Sequence, residues 1–147
     1  MRYVEAPENY LEGGDAVTVF LAGGITGCED WQFQMARLLS HTELVVFNPR
    51  RVNFPINDLT AADAQIQWER EHLYRADRIL FWFPNCLTSV CPIALFELGY
   101  WLHSDKPLAI GVEPGYAREV DVYAQTELAR PDIDIVDNLT DLSRAIR

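Results

Sequence analysis

From Ile79 to Leu102 the chain reads ILFWFPNCLTSVCPIALFELGYWL, a run long enough to raise the question of a membrane span. A spanning helix needs about 20 mainly apolar residues in succession. Here Pro84, Asn85, Thr88, Ser89 and Pro92 break the run, and Glu97 is its only charged residue. It therefore reads as a strand over Ile79–Phe83, a loop over Asn85–Cys91, and a helix from Pro92 to about His103. Proline suits the first turn of a helix, where its missing N–H has no partner to lose. A strand that is apolar throughout belongs inside a parallel sheet with both faces covered.

The rest of the chain repeats this alternation. Strands are predicted at Val17–Ala22, Leu44–Phe47, Leu108–Val112 and Ile133–Val136, and helices at Asp30–Ser40, Ala61–Ala76, Val120–Ala129 and Leu139–Ile146. Asp30 is the expected cap of the first helix, and Arg50–Thr60 reads as a loop rich in Asn and Pro. The fold class is α/β: one domain over residues 1–147, with a five-stranded parallel sheet in the flavodoxin- or Rossmann-like order 2-1-3-4-5 and helices on both faces. Ligands of such sheets bind beyond the carboxyl ends of the strands, where the order reverses. In this chain that crevice falls between Gly23–Asp30 and Asn85–Cys91.

Composition narrows the partners. A net charge of −10 argues against a nucleic-acid polymer, whose phosphates need a basic face, but leaves room for a small anion. No membrane association is expected, and the polar opening MRYVEAPENYLEGG does not read as a signal peptide. The three cysteines, Cys28, Cys86 and Cys91, do not look like a disulfide framework and point to a reducing, cytoplasmic setting. Without a second cysteine pair or nearby histidines, no metal site is expected.

Two carboxylates stand out. On a helix, Glu97 has Ile93, Ala94, Tyr100 and Trp101 as neighbours, and a charge there loses water. It is either paired with a distant arginine or working. The helix N-terminus is expected to help keep it ionised. Glu69 falls on a stripe formed by Ala62, Ile66, Leu73 and Ala76, unless it reaches solvent from the stripe's edge. Two carboxylates aimed at one crevice fit glycosyl transfer, one attacking the anomeric carbon and the other handling the leaving group's proton.

Around them, Gly23 and Gly24 either let a ligand approach bare backbone amides or form a simple turn. Asp30 and Trp31 offer a hydrogen bond and a stacking face, or else a helix cap and a core residue. Asn48, Arg50 and Arg51 sit where phosphate or carboxylate is held, or form solvated surface. An NADP site using Arg50 and Arg51 is a weaker reading, because the glycine fingerprint is incomplete and no acidic residue ends the second strand. His41, His72 and His103 are scattered and read as structural.

The stretches VFLAGGITGCEDWQ (19–32), VVFNPRR (45–51), QIQWEREHLYRADRILFWF (65–83) and CPIALFELGYW (91–101) resemble the nucleoside 2-deoxyribosyltransferase superfamily, in its short branch. The resemblance implies a Rossmann-like domain that cleaves the N-glycosidic bond of a (deoxy)nucleoside or nucleotide without a cofactor. It places the nucleophile at Glu97, and it puts Glu69 where the family carries aspartate or asparagine. Cys91 stands where nucleotide-handling members carry serine, and Ser89 is the nearest substitute. The resemblance also implies a site completed by a neighbouring subunit, hence a homodimer or higher homo-oligomer. The large aromatic surface of Phe96, Tyr100 and Trp101 on one helix leads to the same expectation.

Overall fold

The computed structural model describes residues 1–10, 14–55 and 57–147. Five parallel strands form one sheet: β1 (Arg2–Glu5), β2 (Thr18–Gly23), β3 (Val45–Asn48), β4 (Arg78–Phe83) and β5 (Leu108–Val112), in the order β1-β3-β2-β4-β5. Five helices connect or flank them: α1 (Trp31–Leu39), α2 (Leu59–Arg75), α3 (Pro92–Trp101), α4 (Glu119–Ala129) and α5 (Leu139–Ala145). The reversal of order between β2 and β4 is where the sequence puts it.

Two strands differ from expectation. Residues Arg2–Glu5 pair with β3 as an edge strand, although their polar setting gives no strand signal and only Val4 among them is fully buried. The expected strand at Ile133–Val136 shrinks to a single parallel bridge between Val136 and Gly111. There the Val136 carbonyl accepts from Val112 N and Val136 N donates to Ile110. Asp132, Asp134 and Asp137 alternate with its apolar residues, and aspartate is poorly suited to strands.

Side-chain alternation along the strands divides the core in two. Val19, Leu21, Val46, Leu80 and Trp82 face α1 and α5, packing on Trp31, Met35, Leu39 and Leu142. Phe20, Ala22, Phe47, Ile79, Phe81 and Phe83 face the other way, onto Trp68, Leu98, Trp101 and Val122 of α2, α3 and α4. Each such large apolar side chain, removed from water, contributes about 1.5–3 kcal/mol.

Polar ties hold the amino ends of the central strands in register. Asp77 Oδ2 accepts from both the N–H and the hydroxyl of Thr18 at 2.8 Å, so the alanine-aspartate step before β4 clamps β2 to β4. Lys106 donates its ammonium hydrogens to the carbonyls of Leu73 (2.8 Å), Tyr74 (3.0 Å) and Ala76 at the end of α2, satisfying carbonyls that a helix end leaves open. Among the described residues no helix is long and apolar enough to cross a membrane.

Candidate active site

The ends of β2, β3 and β4 open into a cavity of about 530 Å³, a size suited to a small molecule. It is lined by both carboxylates, Glu69 from α2 and Glu97 from α3, together with Gly23, Gly24, Arg50, Ser89 and Cys91. A larger and more open hollow of about 1260 Å³ lies on the α1 and α5 side. Its Glu29 and Asp137 are exposed to water and its Glu113 accepts from the backbone N–H of Asn85 at 2.7 Å. Large as it is, that hollow holds no pair of half-buried carboxylates acting on each other.

Glu69 reaches the cavity by a different helical face than the sequence pattern indicates. The buried side of α2 is Ala61, Trp68, His72, Leu73 and Ala76, whereas Ile66 is 62% exposed and Ala62 lies in solvent. Trp68 and the neutral ring of His72 stack at 3.9 Å to fill the space under the helix, so aromatic residues carry the stripe and Glu69 flanks it, half-buried. Its Oε1 accepts from Gln65 Nε2 at 2.9 Å.

Glu97 lies in the second turn of α3. Burial pushes its carboxyl up from the ordinary 4.5 to about 8, and the negative charge of Glu69 adds to the rise. The expectation that the helix N-terminus keeps it ionised is thus overturned: the dipole acts within the first turn, and Glu97 stands beyond it. Burial also raises Glu69, while the hydrogen bond from Gln65 pulls it back. Carboxyls that feel each other's charge titrate as a pair. Burial thus resists ionising both carboxyls at once, and Glu97 is pushed up to about 8.

The start of α3 is unusual. Its cap, Cys91, has φ 50° and ψ 52° and is the one described non-glycine residue with positive φ, a conformation that costs about 1–2 kcal/mol. Ser89 Oγ accepts from Cys91 N at 3.1 Å and stabilises the bend. Burial pushes the Cys91 thiol up to about 11, so it is neutral at neutral pH.

Beside it Cys28 and Cys86, 58 residues apart, form a disulfide. This corrects the reading of three unpaired cysteines, and it removes the support that their count gave to a reducing, cytoplasmic setting. Spacing could not reveal the pair, because the adjacency of β2 and β4 brings their following loops together. All three sulfur atoms lie within 4.8 Å of one another, but with two of them bonded the group is a disulfide and a thiol rather than a metal-ligand set.

Several residues expected at the ligand are engaged within the fold itself. Asp30 caps α1, accepting from Phe33 N at 3.0 Å. Trp31 is buried, its indole N–H donating to the Gly24 carbonyl at 2.8 Å. Asn48 is buried and holds both the N–H (2.9 Å) and the carbonyl (3.1 Å) of Arg50. None of these three lines the two-carboxylate cavity.

Arg50 does line it, but its guanidinium braces the β2–α1 loop through the carbonyls of Glu29 (2.9 Å) and Cys28 (3.1 Å) and through Gln32 (3.3 Å). Glycine at 24 answers to packing: a Cβ there would meet the sulfurs of Cys28 and Cys91 at 2.6 Å. Arg51, expected beside Arg50, does line the cavity, and the residues that sequence reasoning missed are Gln65 and Phe54. Gln65 could have been found one helical turn before Glu69, whereas Phe54 with Arg51 over its ring at 5.4 Å lies in a loop without periodicity.

A Rossmann-like protein with a small-molecule cavity at the strand-order reversal is the class that this geometry defines. The profile of the family described as nucleoside 2-deoxyribosyltransferase like matches residues 16–116, and the chain belongs to that family. The match includes every cavity residue named above. No curated protein matches the chain.

The raised carboxyl has a consequence for stability. The folded protein holds the Glu97 proton more tightly than the unfolded chain does, so this group contributes a loss of stability that grows as pH rises from about 4.5 to about 8. Glu97→Gln removes that loss. The variant should gain up to a few kcal/mol over the parent at pH 8.5, at about 1.4 kcal/mol per pKa unit, and little at pH 4. Urea unfolding at the two pH values measures this, and equal gains at both would show that Glu97 is not desolvated.

Proposed function

We propose that this protein cleaves the N-glycosidic bond of a (deoxy)nucleoside by retaining chemistry. Glu97 attacks the anomeric carbon, the C–N bond breaks, and the departing base nitrogen takes a proton from Glu69. The glycosyl–Glu97 ester then passes its sugar to a second base or to water. The observation that carries this reading is the pair of half-buried carboxyls in one cavity, in a chain of this family. A module that only binds nucleotides gains nothing from desolvating two acids.

The attacking form has Glu97 ionised and Glu69 protonated. That form carries one proton for the pair, so binding of the sugar must favour its placement on Glu69. An unphosphorylated substrate fits better than a 5'-monophosphate. Of the two cations lining the cavity, Arg50 is committed to backbone carbonyls, and the serine of nucleotide-handling relatives is replaced by the neutral thiol of Cys91.

Incubation with a panel of nucleosides and their 5'-monophosphates, with and without free base, should release or exchange base from the nucleosides. Glu97→Gln should lower the rate by roughly 10³-fold or more. The parent's kcat/KM should fall as pH rises above about 8, because the pair then loses its remaining proton. Binding without turnover, or near-parent turnover in the variant, would contradict the reading.

The acceptor and the subunit arrangement are linked. On α3, Ile93 (64%), Phe96 (76%) and Tyr100 (53%) are exposed while Ala94, Leu98 and Trp101 pack on the sheet. Tyr100 also meets Tyr74 of α2, hydroxyl to hydroxyl. A helix apolar on both sides needs cover on both, and we assign the second cover to another copy of this chain. Light scattering at micromolar concentration should give a dimer or a multiple of one, and Phe96→Asp should shift it to monomer. A monomeric parent would contradict this and favour hydrolysis, since an open cavity admits water to the ester.

A further inference from the structure

The loop between β3 and α2 builds the cavity wall beside Glu69. Gln65 Nε2 donates to Glu69 Oε1 at 2.9 Å and to the Pro49 carbonyl at 2.7 Å, which fixes the chain leaving β3 on the Glu69 side. Arg50, Arg51 and Phe54 follow Pro49 and line the cavity. The two arginines differ in their commitments. Arg50 is held by the carbonyls of Cys28 and Glu29 and lies 3.8 Å from Asp30. The Arg51 side chain makes no hydrogen bond or ion pair among the described residues, and its guanidinium carbon lies 5.4 Å from the centre of the Phe54 ring. Arg51 is half-buried, yet its nitrogens remain open: the enclosed side-chain atoms without a partner belong to Gln65 and Thr126. Its charge is not what balances the two acids, because burial and Glu69 set the state of Glu97, and burial and Gln65 that of Glu69.

We propose that Arg51 and Phe54 receive the leaving base, and that Arg51 selects a base carrying a carbonyl oxygen. This rests on the reading that Glu69 serves the leaving base, since Glu69 and the loop share one wall. Phe54 offers a ring face for stacking. A guanidinium has N–H donors and no acceptor, so it pairs with an oxo group and is opposed by an amino group in the same place. Its fork fits best where an oxygen and a ring nitrogen accept side by side, as O6 and N7 do in a 6-oxopurine. When the C–N bond breaks, its electron pair goes to the base and spreads onto that oxygen. A positive charge held there stabilises the transition state more than the bound substrate. The substrate class is therefore a nucleoside of an oxo base, a 6-oxopurine above all.

The test compares pairs of deoxynucleosides in which one oxo group is exchanged for an amino group: deoxyinosine with deoxyadenosine, deoxyguanosine with 2,6-diaminopurine deoxyriboside, and deoxyuridine with deoxycytidine. The parent should prefer the oxo member of every pair it cleaves, by roughly 10- to 100-fold in kcat/KM. Arg51→Met should erase that preference, mainly by lowering kcat for the oxo member. Arg51→Lys keeps the charge without the fork and should retain part of it. Phe54→Leu should raise KM for both members alike and leave the ratio unchanged. A merely structural role of Arg51 would lower both members together and not move the ratio.

Equal rates within the pairs, preference for the amino member, or an oxo preference that survives Arg51→Met would overturn the proposal. So would a preference for 5'-monophosphates over nucleosides that Arg51→Met abolishes, because the guanidinium would then serve the phosphate. The pairs in the parent protein decide it even if a variant misfolds. If the parent cleaves no nucleoside, the catalytic reading fails, and calorimetry with the free bases decides Arg51 separately. Tighter binding of hypoxanthine than of adenine, lost in Arg51→Met, supports the recognition. Equal binding overturns it.

Discussion

Two carboxyl groups share one cavity at the reversal of strand order, and burial makes it costly for both to be ionised at once. The surrounding structure serves to hold them there. β4 ends and the chain turns sharply at Cys91, so that α3 starts over the crevice and carries Glu97 into its side. α2 lies across β2 on the same side of the sheet, and the Trp68–His72 stack beneath it leaves Glu69 at the cavity wall. The Cys28–Cys86 bond joins the loops that follow β2 and β4, limiting how far the two halves of the crevice can part.

The arrangement carries a cost in stability. Cys91 sits in a strained left-handed conformation, and Glu97 would be more stable neutral or in water. Features of this kind persist where surrounding structure holds them in place, and they cluster at functional sites. The core on both faces of the sheet, with five phenylalanine and tryptophan side chains of β2, β3 and β4 fully or almost fully buried (Phe20, Phe47, Phe81, Trp82 and Phe83), supplies the reserve that lets one cavity be unfavourable.

Much of the fold was legible because parallel strands leave a strong trace. β2, β3, β4 and β5 are apolar runs ended by glycine, proline or a polar residue, and the helices between them carry recognisable caps such as Asp30. What failed to show was weakly marked or long-range. β1 is a four-residue edge strand with a single fully buried side chain, and Ile133–Val136 is interrupted by Asp134 and flanked by Asp132 and Asp137. At the site, Glu97 was conspicuous as the lone charge in an apolar run. The face of α2 was misjudged because Ile66 counted as core while His72 did not, although His72 is buried by stacking. The bracing contacts of Arg50, Asn48 and Asp30 join segments up to 45 residues apart, and residue type alone cannot separate a brace from a ligand contact.

The central claim is a covalent glycosyl–Glu97 intermediate. A nucleoside with fluorine at the sugar 2' position slows breakdown of such an ester by withdrawing electrons from the anomeric carbon, so the intermediate should accumulate and survive digestion. Mass spectrometry of the quenched protein is the most direct measurement. The account predicts one sugar mass on the peptide that contains Glu97, with fragmentation assigning it to that residue, and none in Glu97→Gln. A sugar on Glu69 instead, or turnover with no adduct on any residue, would contradict it.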